Sequence, residues 1–241
     1  MSQAPRHRKL PAIEAPSVSV VVPVYNEARV LPALVPQLRE LAERCEVMVA
    51  DGGSTDGTAE ALAREFRVLA TSKGRARQMN EGARATSGDV IFFLHADSIL
   101  PPNPVGQIQR VARKHDAGCF GIRFDRRHPV LWFCSWMSNA RVWARGIAYG
   151  DQGIFMRREL FEELGGFPEL PIMEDLQLSL DLRERGVRFG MTRGRITTSS
   201  RRFGRGTVQM IKTWCAMVPL RKMYRAGADI QEIAARYRDI R

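Results

Sequence analysis

Four acidic residues lie where the sequence indicates that a strand ends or a helix begins. Glu27, Asp51 and Asp97 each come shortly after an apolar run, and Asp175 lies within the segment PIMEDLQLS. A carboxylate in such a position can accept a hydrogen bond from a ligand, hold a hard divalent cation or take a proton from a reacting hydroxyl. The sequence therefore indicates a binding or catalytic site built from acids on loops.

Asp51 gives the clearest indication of ligand binding. It is the first polar residue after an apolar strand, and Gly52 and Gly53 follow it. Because glycines let a ligand approach the backbone closely, the Asp51 side chain is placed to accept a hydrogen bond from a nucleobase N–H. Asp56, in the segment STDGT, is instead typical of a residue that shapes a turn. The stretch does not fit an EF-hand loop, since Thr55 stands at its fifth position and no Glu at its twelfth.

Asp97 and Asp175 each have two interpretations. Asp97, in the segment His95-Ala96-Asp97, is placed to hold a divalent cation that also binds a diphosphate, or to stabilise the turn before Pro101 and Pro102. Asp175 is placed to act as a general base, or to occupy a helix N-terminus where the helix dipole favours a negative charge. Both residues are site candidates, with a structural role as the alternative.

The first half of the chain alternates short apolar runs with segments of helical periodicity. The predicted strands are Ser17–Val24, Glu46–Ala50, Phe66–Ala70 and Val90–Leu94, and the predicted helices are Ala28–Arg44, Thr58–Glu65 and Arg75–Ala85. This alternation is typical of right-handed βαβ units and predicts an α/β fold with a mostly parallel sheet. In such a sheet the polar residues that follow the strands meet at one edge, where ligands bind.

The second half is less regular. We expect strands at Cys119–Asp125 and Gly153–Met156 and helices at Trp132–Ala144 and Glu174–Arg185, with one or two basic amphipathic helices over Thr207–Arg241. The predicted organisation is a flexible basic tail at residues 1–16, a single domain at 17–203 and C-terminal helices at 204–241. Those helices are expected to pack on the domain or to lie at a membrane surface.

Missing motifs argue against several enzyme classes. The chain has no G-x-x-x-x-G-K-[ST], no G-x-G-x-x-G after its first strand and no G-x-S-x-G, which argues against P-loop ATPases, Rossmann dehydrogenases and α/β-hydrolases. Its 4 cysteines show no C-x-x-C spacing, so a cysteine-based zinc site is not expected.

Positive charge is concentrated at the C-terminal end. The net charge is +11, and residues 181–241 contain 15 Lys and Arg against five acids. Such a segment attracts phosphates of a nucleotide, a nucleic acid or an anionic lipid, or simply forms a solvated helical surface.

The opening segment lacks the apolar run of a secretory signal, and the apolar stretches Val130–Met137 and Val208–Leu220 are too short or interrupted to span a bilayer. We therefore expect a cytoplasmic protein, with contact at the inner face of the membrane as an alternative.

Four ordered segments together resemble a known family. They are Pro23-Val24-Tyr25-Asn26-Glu27, the run from Asp51 to Thr58 (DGGSTDGT), Asp97, and Glu174-Asp175. They resemble the signatures of family 2 glycosyltransferases of the GT-A fold over residues 17–203. The segments FLHADS, YGDQGIF, LGGFPELPIMED and TSSRRF further resemble a short branch of that family, the arsenosugar-biosynthesis-type glycosyltransferases. The implied fold is a single GT-A (Rossmann-like) domain with a helical C-terminal segment.

The resemblance implies a donor-binding role for eight residues. Pro23, Tyr25 and Glu27 would line the nucleoside pocket, and Asp51 would hydrogen-bond the base. Arg75 lies where the family has a basic residue near the base or the diphosphate. The remaining three positions are His95, Arg201 and Arg202; the two arginines, from SSRRF, would offset the charge on the diphosphate.

The resemblance also assigns a metal ligand and a base. Asp97 matches the final carboxylate of the D-x-D motif, which holds a divalent cation, Mn²⁺ or Mg²⁺. His95 stands where the first Asp of that motif is expected, a departure that weakens the ribose or metal contact. Asp175 matches the acceptor-side carboxylate, which is the general base in this family.

The expected function is that of an inverting glycosyltransferase of the hexosyltransferase type. It would move a sugar from a nucleoside-diphosphate sugar to an acceptor hydroxyl, with a lipid-linked acceptor as one option. One alternative is a non-catalytic sugar-nucleotide-binding protein of the same fold. The other is a nucleic-acid-binding protein, but nucleic acid is not an expected partner because the strand-end carboxylates would repel a phosphate backbone.

Overall fold

A central β-sheet organises the protein, which the computed structural model describes over residues 6–200, 203–204 and 206–238. Its strands are β1 (Val18–Val24), β2 (Glu46–Asp51), β3 (Arg67–Ala70), β4 (Val90–Phe93), β5 (Ala117–Phe124), β6 (Phe155–Arg157) and β7 (Phe189–Thr198). Within the described residues they form one sheet in the order β3-β2-β1-β4-β6-β5-β7.

Helices cover both faces of this sheet. They are α1 (Leu31–Ala42), α2 (Thr58–Leu62), α3 (Arg75–Arg84), α4 (Pro104–Ala112), α5 (Pro129–Arg145), α6 (Arg158–Leu164), α7 (Glu174–Glu184), α8 (Thr207–Arg225) and α9 (Ile230–Arg238). Short 3-10 turns lie at Ala28–Val30 and Gly150–Gln152. The sequence did not predict α4, α6 or β7.

The directions of the strands bring the loops after β1, β2 and β4 to one edge. β1 pairs in parallel with β2 and β4, and β5 pairs in parallel with β7, whereas β6 is antiparallel to both of its neighbours. This confirms the predicted mostly parallel α/β sheet. Because β6 runs against β4, the loop before β6 reaches the same edge, and Phe93 N donates to Ile154 O over 2.9 Å.

Alternating side chains of β1 supply the two halves of the core. Val20 and Val22 pack on one face in a cluster with Leu38 of α1, and Val21 packs on the other face in a cluster with Met79 of α3. A strand that is buried on both faces favours apolar residues on both sides, which explains the β-branched run in this part of the sequence; the one buried polar side chain of β1, Ser19, donates to Glu46.

Residues 6–16 lie against the domain. His7 Nε2 is 3.1 Å from Oδ2 of Asp116, its Nδ1 is 3.1 Å from Oε2 of Glu163, and Arg157 donates to the carbonyl of Pro11. This part of the segment expected as a flexible tail is therefore held by acids and by an arginine of the domain. Residues 1–5 lie outside the described ranges.

The C-terminal helices pack on α7 and on the loop before β6. Leu220 of α8 and Ile233 of α9 are buried in a cluster with Ile147, Met173 and Leu176. In the described part of the chain, no helix combines the length and the apolar character needed to cross a bilayer.

Candidate functional site

The loops after β1 and β2 interlock through side chains. Asn26 N donates to Ser54 Oγ over 2.9 Å, and Thr55 N donates to Asn26 Oδ1 over 2.8 Å. Asp56 accepts from the N–H groups of Ala28 and Thr58 and from the Thr58 hydroxyl, which lowers its pKa. Asp56 therefore shapes the turn, as predicted.

Asp51 uses its carboxylate to fold the loop that follows it. Oδ2 accepts from the N–H groups of Gly53 and Ser54, each over 3.0 Å, and Oδ1 accepts from the Ser54 hydroxyl. Beneath the loop, the buried Gln78 donates to the carbonyls of Val24 and Ala50. Asp51 is only 5% exposed, so little of this residue is accessible to a ligand.

The predicted nucleoside-binding residues lie around the end of β1. Pro23 pairs with Ala50 of β2, Tyr25 is exposed just beyond the strand, and Glu27 N donates to Thr58 Oγ1 over 2.9 Å. Lys73 Nζ lies 4.0 Å from the centroid of the Tyr25 ring. Lys73 is not among the site residues predicted from the sequence, although it directly precedes Gly74 and Arg75 at the start of α3.

His95 and Asp97 lie in the turn after β4, and both are half-buried. Just beyond this turn, Ile99 and Thr197 exchange backbone hydrogen bonds of 2.9 and 2.8 Å, which joins the turn to the end of β7. The chain after β7 continues to Arg201 and Arg202, which lie outside the described residues.

Asp175 and His95 meet at Gly150. Asp175 Oδ2 accepts from Gly150 N over 2.8 Å, and its Oδ1 accepts from Leu176 N over 2.7 Å. A Cβ on Gly150 would lie 2.7 Å from His95 Nε2 and 3.6 Å from Asp175 Oδ2. The structure thus brings the proposed base next to the turn that carries Asp97. The sequence reading did not select Gly150, because the contact joins segments that are far apart in the chain.

Arg75 lies beside the acids at the start of α7. Its Nη1 is 3.3 Å from Oε1 of Glu174, a residue that is 5% exposed. Burial raises the pKa of Glu174, and the nearby charge of Asp175 adds to this rise while Arg75 opposes it. For Arg75, desolvation works to lower the pKa, but Glu174 and other nearby groups, which include Asp175, raise it overall.

Two further contacts tie α3 to the loop before α7. Asn80 Nδ2 donates to Phe167 O and Phe167 N donates to Asn80 Oδ1, both over 2.8 Å in a buried position, and Arg77 pairs with Glu169 over 3.0 Å. The segment KGRARQMN therefore helps to position the start of α7, where Glu174 and Asp175 lie. Its signal in the sequence is the run of polar residues along a helix that packs on the core.

Within the described residues, no three His, Cys, Asp or Glu side chains form a group that could hold a metal ion. Mg²⁺ is usually bound through one or two carboxylates together with substrate phosphates. Asp97 therefore fits a metal that is shared with a bound diphosphate, and the donor set does not fit a metal held by protein ligands alone.

Curated relatives that resemble this chain are undecaprenyl-phosphate 4-deoxy-4-formamido-L-arabinose transferases. The protein from Serratia proteamaculans is 29% identical over 157 residues, which is 58% of this chain and 48% of the relative. The protein from Yersinia enterocolitica is 30% identical over 155 residues, or 58% of this chain and 47% of the relative. The chain spans about half the length of these relatives.

Solved structures share the fold. The mannosyltransferase PcManGT from Pyrobaculum calidifontis, in complex with GDP-Man and Mn²⁺, has a TM-score of 0.63 at 22% identity, with 99% of this chain and 73% of that chain covered. S. aureus TarS 1-349 in complex with UDP-GlcNAc has a TM-score of 0.59 at 17% identity, with 80% and 60% covered. These likenesses confirm the expected GT-A fold.

The family described as "Glycosyl transferase family 2" matches residues 19–167. The match contains the interlocked loops, the His95-Ala96-Asp97 turn and Gly150, and it ends before Glu174. Since it covers more than half of the sequence, the chain belongs to glycosyl transferase family 2.

Proposed function

We propose that this protein transfers a sugar from a nucleoside-diphosphate sugar to an acceptor hydroxyl with inversion at the anomeric carbon. The observation that supports this most directly is the meeting of Asp175 and His95 at Gly150. It supports the proposal because Asp175, the proposed base, lies next to the turn that carries Asp97, the proposed ligand of a divalent cation that binds the diphosphate. The relatives are named as sugar transferases, which supports the same reaction class.

The proposed reaction needs one base. The acceptor oxygen forms a bond to the anomeric carbon while the bond from that carbon to the diphosphate oxygen breaks and its electron pair leaves with the diphosphate. The acceptor proton passes to Asp175. Each oxygen of an ionised carboxylate has two lone pairs, so the bonds from Gly150 N and Leu176 N leave each oxygen a place for this proton. Direct displacement inverts the carbon and requires no second nucleophilic acid.

The leaving diphosphate needs compensation for its charge. Asp97 would hold a divalent cation, Mn²⁺ or Mg²⁺, which when bound offsets charge that develops on the departing group. PcManGT carries Mn²⁺ with its donor, in line with this proposal. Arg201 and Arg202 are proposed to help, and Arg75, paired with Glu174, is proposed to serve the diphosphate from the acceptor side.

The nucleoside would lie at the end of β1. Tyr25 offers an exposed ring, Pro23 and Glu27 flank it, and Lys73 adds a positive charge over the ring. Asp51 is proposed to accept a hydrogen bond from the base through the carboxylate that also accepts from Gly53 and Ser54.

The test is release of nucleoside diphosphate from a panel of nucleotide sugars by the purified protein with Mn²⁺. Each reaction is run with water alone, with lipid-linked hydroxyl acceptors and with a polyprenyl phosphate. The proposal requires Mn²⁺-dependent release from at least one donor and faster release with a hydroxyl acceptor. Acceleration by polyprenyl phosphate alone would contradict the hydroxyl acceptor, because a phosphate oxygen gives no proton to Asp175 at neutral pH.

His95 favours one second candidate, a non-catalytic sugar-nucleotide-binding protein, because it replaces the first acid of the D-x-D motif. That candidate requires tight donor binding with no release in any arm of the test. The placement in the arsenosugar-type branch rests on the quoted segments alone, since the relatives found are arabinose transferases. We likewise propose that the protein is located in the cytoplasm.

A further inference from the structure

Helix α5 exposes a row of large apolar side chains. Trp143 is 81% exposed, Trp132 68%, Trp136 54%, Phe133 43% and Met137 39%. Their spacing places them on one side of the helix, opposite Leu131, Cys134 and Val142, which face the core. A contiguous exposed apolar patch of this kind on a folded domain marks an interaction surface.

Helix α8 continues the same surface. Val208, Ile211 and Val218 are exposed along one stripe, and the exposed Cys215 lies between the last two. The opposite side of α8 buries Met210 and Leu220. One face of α8 therefore packs on the domain. Its second apolar face is exposed, and packing on the domain does not explain why it is apolar.

The two helices lie side by side in parallel. His128, next to the start of α5, is 3.2 Å from Thr207 at the start of α8, and the rings of Phe133 and Trp214 are 6.2 Å apart. Farther along, Arg141 of α5 and Arg221 of α8 both contact the Tyr149 ring, at 3.7 and 4.4 Å from its centroid. The exposed rows of α5 and α8 thus form one surface, which we term the aromatic face.

The charges of these helices have one sign. Neither α5 nor α8 contains Asp or Glu. Helix α5 contains two Arg, and α8 contains four basic residues. Of these, Arg145, Lys212, Lys222 and Arg225 are exposed. Tryptophan beside lysine and arginine is the composition that favours the interface of an anionic bilayer, where rings insert at the level of the headgroups and basic residues bind them.

We propose that the aromatic face docks on an anionic lipid bilayer, with the tryptophans of α5 inserted at the headgroup level. The inference rests on this surface and holds independently of the proposed reaction. It has a consequence for the site, however, because Tyr149 lies between the two helices and the next residue, Gly150, donates to Asp175. Docking would therefore bring the proposed base close to the membrane surface.

The chain provides its own probe. All 4 of its tryptophans lie on α5 and α8, so intrinsic fluorescence reports only on these helices. The full chain is mixed at low salt with vesicles of phosphatidylglycerol and phosphatidylcholine, or of phosphatidylcholine alone, and binding is measured by sedimentation. Emission is measured with and without brominated acyl chains. We expect binding and quenching with the anionic vesicles, and loss of both at high salt.

Two pairs of variants locate the contact. Trp132→Ser with Trp136→Ser should weaken binding at least about tenfold, while Ile99→Ser, an exposed apolar residue elsewhere, should not. Lys212→Glu with Lys222→Glu should weaken it at least about 25-fold, since each basic residue contributes about fivefold. Arg64→Glu with Arg84→Glu is the control with the same change in net charge.

Several results would overturn the proposal. They are a protein that stays in the supernatant with both vesicles at low salt, binding without quenching, and equal loss of binding in the Arg64/Arg84 control. Light scattering tests a second copy as the occupant, and a dimer that becomes monomeric in the Trp132/Trp136 variant would also overturn it. Nucleotide binding is measured on every variant, so that a defect in the proposed donor site is distinguished from a loss of membrane binding.

Discussion

The backbone N–H of Gly150 donates a 2.8 Å hydrogen bond to Oδ2 of Asp175. The donor belongs to the loop before β6 and the acceptor to the start of α7, so one bond joins the edge of the sheet to the proposed base. An N–H that donates to one oxygen fixes the orientation of the carboxylate and leaves its remaining lone pairs for the acceptor hydroxyl.

Asp175→Asn should therefore separate binding from chemistry. The amide oxygen can still accept from Gly150 N, but the side chain can no longer take a proton, so the transfer rate should fall by at least about 100-fold. Nucleotide affinity, measured by calorimetry, should stay within about twofold, because Asp175 is proposed to face the acceptor and not the nucleotide. Glu60→Gln, an exposed acid on α2, is the control. Near-normal turnover of Asp175→Asn would assign Asp175 to the helix N-terminus alone.

Metal binding should depend on the nucleotide. Because the described residues offer Asp97 without a cluster of further ligands, titration of Mn²⁺ into the protein alone should give no binding heat. Adding a nucleoside diphosphate should create binding, and Asp97→Ala should abolish it, with circular dichroism to check that the variant is folded. Tight Mn²⁺ binding without nucleotide, or a nucleotide-dependent gain that survives in Asp97→Ala, would rule out the shared site.

Asn80 should contribute strongly to stability. Asn80→Ala leaves the buried N–H and C=O of Phe167 without partners, which should lower the free energy of unfolding by about 2 to 5 kcal/mol. Arg77→Ala, on the same helix, breaks only the exposed pair with Glu169 and should cost at most about 1 kcal/mol. Urea denaturation measures both, and equal losses would contradict the different roles of the two contacts.

The pH dependence of stability should change in Glu174→Gln. Burial raises the folded-state pKa of Glu174 above its unfolded value, so the folded protein binds more protons in the intervening pH range. The contribution of Glu174 to stability is thus present at low pH and is lost as the pH rises through the folded pKa. Urea midpoints measured upward from pH 4.5 should fall less in the variant than in the natural protein. Parallel curves would show that Glu174 ionises without cost.

Thiol reactivity should distinguish one cysteine from the other three. Burial raises the pKa of Cys119 to about 12 and that of Cys45 to about 11, and it also raises that of the buried Cys134. Cys215 is exposed on α8. A thiol reagent at pH 8 should therefore modify one cysteine rapidly in the native protein and all 4 after denaturation. Cys215→Ser should remove the rapid phase and Cys45→Ser should not; a rapid phase that persists in Cys215→Ser would show that another thiol is accessible.

Much of the first half of the fold could be predicted from the sequence. β1, β2 and β4 are largely apolar runs because they are buried on both faces, and short runs of this kind can be recognised as strands from the sequence. β7 was missed since it contains Arg193, Gly194 and Arg195, and it is a strand only because β5 offers it a parallel partner. Its backbone pairing overrides a composition that is typical of a loop.

The candidate acids could be selected from the sequence, but the contacts they make could not. Asp51, Asp97 and Asp175 could be selected because each follows or begins an element. That Arg75 pairs with Glu174 could not be predicted, because it depends on how the loop before α7 docks on α3. Long-range contacts of this kind leave no local periodicity in the sequence.

The absence of a side chain at position 150 links it to position 95. The imidazole of His95 fills the space that a Cβ at position 150 would need. The effects of mutations at these two positions are therefore expected to be epistatic: alanine at 150 requires the His95 ring to shift, whereas a shorter residue at 95, such as aspartate, would leave room for it. We therefore expect a shorter residue at position 95 to precede substitution of Gly150. A change of His95 to aspartate, which would also restore the acidic pair in this turn, should make position 150 more tolerant of a side chain.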